Sequence, residues 1–266
     1  MLHSVLGKTL HDQRRSLLTW AVSLALLVAM YVAVWPAVRD APAMSDYLEQ
    51  MPEPLRNLFA TSGADMSTPS GYVQIELLSF MGPILLLIYA VVAGVSAVSG
   101  EEDRHTMDIL LANPVSRTRV VLEKAAAMAF GTFLLAAATG LAIILEGPLT
   151  DMDLPAGKVA AAMLHMALLG VVFGALALAL SAWTGRSGIS WAVPAVVAVV
   201  AYVVNGLAPM VDWLEPFQKL SPFYQYVAHD PLRTGVDVGS VLVAVATAVA
   251  LVLLAVVGFR RRDVRA

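Results

Sequence analysis

Residues 99–119, SGEEDRHTMDILLANPVSRTR, place a short charged stretch, hereafter the insert, between two long apolar runs. The whole chain is 59% hydrophobic and 14% charged, and its mean hydropathy is +0.75. Soluble domains carry about 25% charged residues, so this chain lacks the polar surface of a globular protein. The composition predicts a multi-pass membrane protein. The absence of cysteine excludes disulfides, thiol catalysis and thiolate metal sites.

Six apolar stretches are long enough to cross a bilayer, which needs about 20 residues per helix. They cover residues 17–36, 74–98, 121–145, 159–182, 189–210 and 238–259. Gly82-Pro83 predicts a kink in the second stretch. The first stretch is interpreted as a retained helix and not as a cleaved signal peptide, because its apolar core exceeds the usual length. Residues 1–266 are therefore expected to form one all-α transmembrane domain.

The basic residues are distributed unequally between the connections, which predicts the orientation of the chain. Lys and Arg mark the cytoplasmic side of a membrane protein. The amino end, the insert together with the start of the third stretch, the fourth connection and the carboxyl tail hold 12 of the 17 basic residues. Both termini and the insert are therefore predicted to be cytoplasmic. This membrane-flanking pattern forms no basic patch, so no nucleic-acid partner is expected.

The connections on the opposite side differ in character. Residues 37–73 are rich in Pro, Ser, Met and acidic residues, and they predict an irregular or partly helical cap. Residues 210–237 combine aromatic residues with Pro216, Pro222 and Pro231, which break any continuous helix. Aromatic residues at this level fit a membrane interface. A short outer re-entrant segment before the last span is the favoured interpretation.

The insert has the periodicity of a short amphipathic helix over residues 101–112. Met107, Leu110 and Leu111 then share one face, at spacings of three and four. Asn113-Pro114 ends the helix, because the residue before proline is driven out of the α region. Periodicity alone leaves two interpretations open: a helix lying on lipid, or a docking element for a cytoplasmic partner.

The insert resembles the hallmark of type-2 ABC exporter permeases, E-x-x-x-G-T-x-x-x-L-L-x-x-P-v-s-R followed by a lysine. The matching residues are Glu101 or Glu102, Thr106, Leu110, Leu111, Pro114, Val115, Ser116, Arg117 and Lys124. His105 departs from the pattern, because the family usually has glycine there. Three further stretches resemble the family: HDQRRSLLTW (11–20) an amphipathic connecting helix, LSPFYQY (220–226) the segment before the last span, and FRRRDV (259–264) the usual ending.

The resemblance implies that the insert is a coupling helix that binds a cytoplasmic ABC ATPase. The residues implied at that interface are Glu101, Glu102, Arg104, Thr106, Met107, Leu110, Leu111, Pro114 and Arg117. The implied complex lies in a bacterial cytoplasmic (inner) membrane, surrounded by lipid, and has two ATPase subunits and two permeases, as a homodimer or as a heterodimer of related chains. Because the chain lacks G-x-x-x-x-G-K-[ST], it is expected not to be an enzyme and to bind no cofactor. ATP and Mg would be bound by the ATPase.

Three residues are candidates for a translocation path, because the second and fifth spans line that path in the family. They are Glu76, Tyr202 and Asn205. Glu76 has a structural alternative, since a carboxylate near the surface can snorkel or pair with a loop cation. His165 in the fourth span is interpreted as an interhelical hydrogen-bonding residue in preference to a proton relay or metal ligand. Gly170 and Gly174 predict a close helix approach, within one chain or between two.

The favoured function is the permease subunit of an ATP-driven exporter for a hydrophobic or amphiphilic substrate, such as a drug, an antibiotic or a lipid-like molecule. The alternative is a membrane subunit that transmits force from an ATPase to an extracytoplasmic protein, and residues 37–73 would then grip that protein. An intramembrane enzyme is not supported, because the spans carry no nucleophile–base pair, carboxylate dyad or metal-ligand cluster.

Overall fold

A computed structural model of the chain describes residues 4–41, 52, 54, 65–111 and 115–262, the side chains of residues 109 and 111 excepted. Six helices are long and apolar enough to cross a membrane. These first to sixth spans are Val5–Arg39, Pro69–Ala97, Arg117–Thr150, Ala156–Thr184, Ser187–Met210 and Val238–Arg261. Over the described residues the regular structure is helical throughout, with no strand. The predicted all-α fold with six spans is confirmed.

The first span is one continuous helix of 35 residues. The Ser4 side chain caps it by accepting a hydrogen bond from the Gly7 amide at 3.0 Å. The predicted amphipathic connecting helix is not a separate element, because residues 11–15 form early turns of this same helix. Neither glycine nor proline occurs between Lys8 and Trp35, so nothing in the sequence interrupts the helix.

The second span changes helix type along its length. It starts as an α-helix over Pro69–Val73, becomes a π-helix over Gln74–Met81 and returns to an α-helix over Gly82–Ala97. Within the wider turn, the Ser79 hydroxyl donates to the Gln74 carbonyl at 2.7 Å. Gly82-Pro83 lies where the α-helix resumes. The irregularity expected at this dipeptide therefore extends one to two turns before it.

The remaining elements connect or complete the spans. The insert forms two short helices, Ser99–Asp103 and Met107–Leu111. The third and fifth spans end in 3₁₀ turns, Gly147–Thr150 and Ala208–Met210. Residues 211–237, hereafter the pre-span segment, hold the helices Glu215–Gln218, Pro222–Val227 and Pro231–Thr234. Residues 42–51 and 55–64, to which most of the predicted cap belongs, lie outside the described residues.

The fourth span lies at the centre of the bundle, whereas the fifth lies at its edge. Within the most apolar 18 residues of each span, the buried share is 83% in the fourth span and 11% in the fifth. A Cβ atom added to Gly94 would lie 2.3 Å from the Gly174 carbonyl oxygen, so the second and fourth spans touch through their backbones. The small-residue pattern at Gly170 and Gly174 therefore packs spans within one chain.

The pre-span segment is inserted between the spans. The Tyr226 hydroxyl donates to the Leu78 carbonyl at 2.7 Å, and the Ser221 hydroxyl donates to the Ala201 carbonyl at 2.9 Å. Leu78 and Ala201 lie roughly 9 to 14 Å from the ends of their helices, at 1.5 Å per residue. The segment thus dips into the bundle, as the re-entrant interpretation predicts, and it leaves Trp213 and Phe217 exposed.

Candidate functional site

The insert lies at one end of the bundle, hereafter the insert end, together with one end of each of the six spans. The Leu6 amide donates to Glu123 at 2.8 Å, which joins the start of the first span to the third. Ser187, at the start of the fifth span, donates to Asp103 in the insert. Val5 of the first span and Phe259 of the sixth belong to one apolar cluster. The first span therefore begins at the end of the bundle where the sixth span ends. We call the opposite end the far end.

The insert is not the single helix over residues 101–112 that its periodicity predicts, and this prediction is wrong. The backbone turns at His105, whose φ is +55°. The His105 amide donates to the Glu102 carbonyl, and the Thr106 amide to the Glu101 carbonyl, both at 2.9 Å. This left-handed conformation ends a helix and favours glycine. His105 thus adopts a conformation typical of glycine, and glycine is the residue that the family pattern has at this position.

Glu101 joins the insert to the third span. Its carboxylate lies 2.5 Å from the Lys124 ammonium group, and the Thr106 hydroxyl also donates to it. Lys124 is buried, so the ion pair is largely shielded from solvent. Burial alone would raise the pKa of Glu101, but the hydrogen bonds from Lys124 and Thr106 and the charges of Lys124 and Lys8 lower that pKa below its ordinary range.

Glu102 joins the insert to the sixth span. Both of its oxygens accept hydrogen bonds from the Arg262 guanidinium, and its side chain is 5% exposed. Arg117 adds a link between the third and sixth spans, because it donates to the Phe259 carbonyl at 3.1 Å and to the Arg262 carbonyl. Its guanidinium also lies 5.6 Å from the centre of the Phe259 ring. The insert is thus fixed to two spans by charge-assisted hydrogen bonds.

The apolar face predicted to contact a partner is buried within the chain itself. Met107 and Leu110 are 1% and 8% exposed. They pack in a small cluster at the insert end with Val98, Val120, Val121, Ala182, Ala255 and Phe259. A short helix against the ends of the spans gains more by burying this face there than by leaving it in water. The Leu111 side chain and Pro114 lie outside the described residues.

The exposed surface of the insert is mainly charged. Among the described residues of the insert, the exposed ones are Asp103, Arg104, His105, Asp108, Ser116 and Arg119. Arg104 also borders a small cavity of about 90 Å³, lined in part by Asp12, Gln13 and Lys124. A partner at this end of the bundle would therefore meet charged side chains of both signs on an internally fixed scaffold. Of the predicted interface residues, Arg104 alone is fully exposed among those the structure describes.

The predicted path residues lie in two environments. Glu76 is half-buried in the π-helical stretch, near Tyr31 and Tyr72. Tyr202 instead packs against Phe80 and Phe223, with ring centroids 6.1 and 5.4 Å away. Asn205, one turn further along the fifth span, accepts at its backbone carbonyl from Gln218 at 3.1 Å. Its side-chain oxygen is buried and has no hydrogen-bond partner among the described residues.

His165 uses both ring nitrogens to hold the pre-span segment. Nε2 accepts from the Asp237 amide at 3.3 Å, and Nδ1 lies 3.2 Å from the Gln225 carbonyl oxygen. Since Nε2 is an acceptor, Nδ1 must carry the proton that it donates, and the ring is neutral. The hydrogen-bonding interpretation of His165 is confirmed, and its partners are backbone groups at the far end.

Several residues in these contacts escaped the sequence analysis. Arg262 entered it as one of the basic residues that set orientation and as part of FRRRDV, and not as a partner of the insert. Ser99 and Ser181, which are hydrogen-bonded at 2.8 Å between the insert and the fourth span, are 82 positions apart and carry no local signal. Tyr72 offered such a signal, because it precedes Glu76 by four residues and so shares its helix face.

Comparison with known protein families gives a match over most of the chain. Residues 2–260 match the family model described as "Multidrug efflux system permease Rv1217c, C-terminal domain". The match spans nearly all of the 266 residues. None of the curated proteins matches the chain.

Proposed function

The chain belongs to the multidrug efflux system permease family, and we propose on that basis that it is the membrane subunit of an ATP-driven exporter. Its substrate would be a hydrophobic or amphiphilic molecule. A separate ABC ATPase would bind and hydrolyse ATP with Mg, because this chain lacks the phosphate-binding loop. The complex would contain two ATPase subunits and two permeases in a bacterial cytoplasmic membrane, with the insert end facing the cytoplasm.

The observation that carries this proposal is the fixed insert with its charged outer surface. Glu101 and Glu102 tie the insert to the third and sixth spans, so a force applied to the insert acts on both spans together. Asp103, Arg104 and Asp108 remain exposed. Charged groups of this kind determine which partner binds and in which register. The insert would therefore serve as the coupling element. Its exposed charged residues would contact the ATPase, in place of Met107 and Leu110, which are buried within the chain.

The transport cycle follows from this arrangement. Closure of the ATPase pair on ATP would displace the insert, and the ion-paired spans would move with it as a rigid body. Displacement would shift the bundle between two conformations only if the partner contacts differ between them. The fifth span is the least buried span, and its apolar face would lie against the second permease or lipid.

The test is the double variant Arg104→Glu/Asp108→Lys, reconstituted with the candidate ATPase in proteoliposomes. Both side chains are exposed, so the variant should fold normally. We expect the permease-dependent ATPase stimulation and the substrate efflux to fall at least about tenfold. The reversed side chains would face partner groups of the same charge, and like charges at an interface penalise association. The readouts are phosphate release, efflux and copurification of the two subunits.

The matched control is Arg233→Glu, which reverses an exposed arginine at the far end. It should stimulate the ATPase as the wild type does. Undiminished stimulation by the double variant would contradict the coupling role of the insert. Copurification of an extracytoplasmic protein, without efflux of any small molecule, would instead support the force-transmitting alternative.

A further inference from the structure

Glu76 is an acidic residue within an otherwise apolar span. The segment from Gln74 to Met81 contains no other charged residue, and it is π-helical. Within the described part of the chain, no hydrogen bond or ion pair reaches the Glu76 carboxylate. Ionisable side chains inside spans are costly and commonly belong to substrate or ion pathways. π-Helical turns are likewise frequent at functional sites.

Tyr31 and Tyr72 lie near this carboxylate, and Trp35 packs behind them against Tyr72. The Tyr72 ring packs against Tyr31 at 6.4 Å, nearly perpendicular, and against Trp35 at 5.1 Å. The Tyr72 hydroxyl donates to the Tyr31 backbone carbonyl at 3.0 Å, which fixes the first span to the second. Tyr72 precedes Glu76 by one helical turn, and the Glu76 charge acts on the hydroxyls of both tyrosines.

Burial divides the cluster into a supporting and an exposed part. Trp35 and Tyr72 are each 1% exposed and form a rigid back wall. Tyr31 and Glu76 are half-buried, so both residues are partly accessible from outside the chain. The ring faces of tyrosine and tryptophan attract cations, most strongly where water is excluded. One carboxylate among aromatic rings lacks the six to eight oxygen ligands that a bound calcium ion needs.

We propose that Glu76 and Tyr31, supported by Tyr72 and Trp35, bind the positively charged group of an amphiphilic organic cation, and that such cations are the substrate class of this permease. The carboxylate supplies the charge, Tyr31 the polarisable ring, and the neighbouring apolar span surfaces accommodate the hydrophobic part. This inference rests on the proposed transport function and specifies its substrate. It also gives the charge of half-buried Glu76 a compensating partner.

The test compares two probes of the same shape and opposite charge, tetraphenylphosphonium and tetraphenylborate. Equilibrium binding of each is measured on the full chain in detergent micelles. The wild type should prefer the cation. Glu76→Gln should lower the affinity for tetraphenylphosphonium at least about tenfold, because it removes the charge at nearly constant volume. Tyr31→Leu should lower that affinity about threefold to tenfold through loss of the cation–π contact.

Two variants serve as controls. Asp151→Asn removes an acidic charge from the far end at a side chain that is 88% exposed. Tyr224→Leu removes an aromatic ring from the pre-span segment. Both should bind tetraphenylphosphonium like the wild type. Glu76→Asp, which keeps the charge, should retain most of the binding, and thermal unfolding verifies that each variant is folded.

The outcomes separate this inference from the proposed function. Equal binding of tetraphenylphosphonium by the wild type and by folded Glu76→Gln or Tyr31→Leu would overturn the inference. Equal affinity of the wild type for the two probes would overturn it as well. Binding in micelles needs no ATPase, so a permease that binds the cation but stimulates no ATPase would contradict the proposed function alone.

Discussion

At the insert end, charged side chains join the spans to one another, whereas at the far end neutral side chains bind backbone carbonyls. Glu101 and Glu102 pair with Lys124 and Arg262 at the first. Tyr226 and Ser221 donate to carbonyls of the second and fifth spans at the other. The far end also has an ion pair between Arg39 and Asp151, but its side chains are exposed, and such pairs contribute little.

The difference follows from depth. The insert lies at the ends of the spans, where each buried charged side chain has a partner of opposite sign. The pre-span segment instead reaches into the bundle, where an unpaired charge is costly and a neutral hydroxyl group is not. Each end therefore uses the strongest contact that its surroundings tolerate.

The largest effect is expected at the insert end. Glu102→Gln leaves the Arg262 guanidinium, whose side chain is only 16% exposed, without its counter-charge, and we expect it to destabilise the chain by about 3 kcal/mol. Asp108→Asn, which removes an exposed charge from the same insert, should change stability by less than about 0.5 kcal/mol. Reversible unfolding in mixed micelles measures both. Similar values for the two variants would contradict the structural role of the Glu102 pair.

Acid should loosen the insert end through the Glu101 pair. The pKa of Glu101 is lowered below its ordinary 4.5 in the folded chain, so its contribution to stability is present above that value and is lost as the pH falls through the lowered pKa. Hydrogen exchange followed from neutral to acidic pH should show a loss of protection in residues 99–111 that the variant Glu101→Gln lacks, because glutamine does not titrate. The hydroxyl contacts of Tyr226 and Ser221 do not titrate in this range. An equal acid-dependent loss in the wild type and in Glu101→Gln would contradict the role of the Glu101 pair.

The smallest effect is expected at the far end. Tyr226→Phe removes the buried hydrogen bond to the Leu78 carbonyl and keeps the ring, and we expect it to cost about 1 kcal/mol. Tyr224→Phe is the matched control, because Tyr224 lies in the same short helix as Tyr226 and is less buried. Unfolding in mixed micelles serves again. A loss for Tyr226→Phe as large as that for Glu102→Gln would show that both ends depend on equally strong contacts.

The sequence predicted the spans well because their signal is local. The length of an apolar run can be read from the sequence, and that length shows whether a helix can cross the bilayer. The helices extend a few residues past most runs, since polar residues such as Arg117 and Arg261 continue a helix that has already formed. The π-helical turns before Gly82 had no such signal. They depend on how the second span packs against its neighbours.

The candidate sites were less predictable because their contacts join distant residues. The periodicity of Met107 and Leu110 identified an apolar face correctly, yet it gave no information on which surface covers that face. The turn at His105 was not predicted, because residues other than glycine rarely adopt a left-handed conformation. Likewise, Glu76 was found as an unusual charge in a span, whereas its aromatic neighbours Tyr31 and Trp35 lie more than a helix away along the chain.

The unbroken first helix has a mechanical consequence. At one tip, the Leu6 amide is bonded to Glu123 beside the insert, and near the other, Trp35 packs against Tyr72. The two positions are about 44 Å apart along a stiff rod, so a tilt of about 5° at Leu6 displaces Trp35 by about 4 Å. A rotation of the helix about Leu6 would therefore be amplified at Trp35, as along a lever arm. A small rotation at one end of the bundle would become a movement at the opposite end large enough to separate two packed aromatic rings.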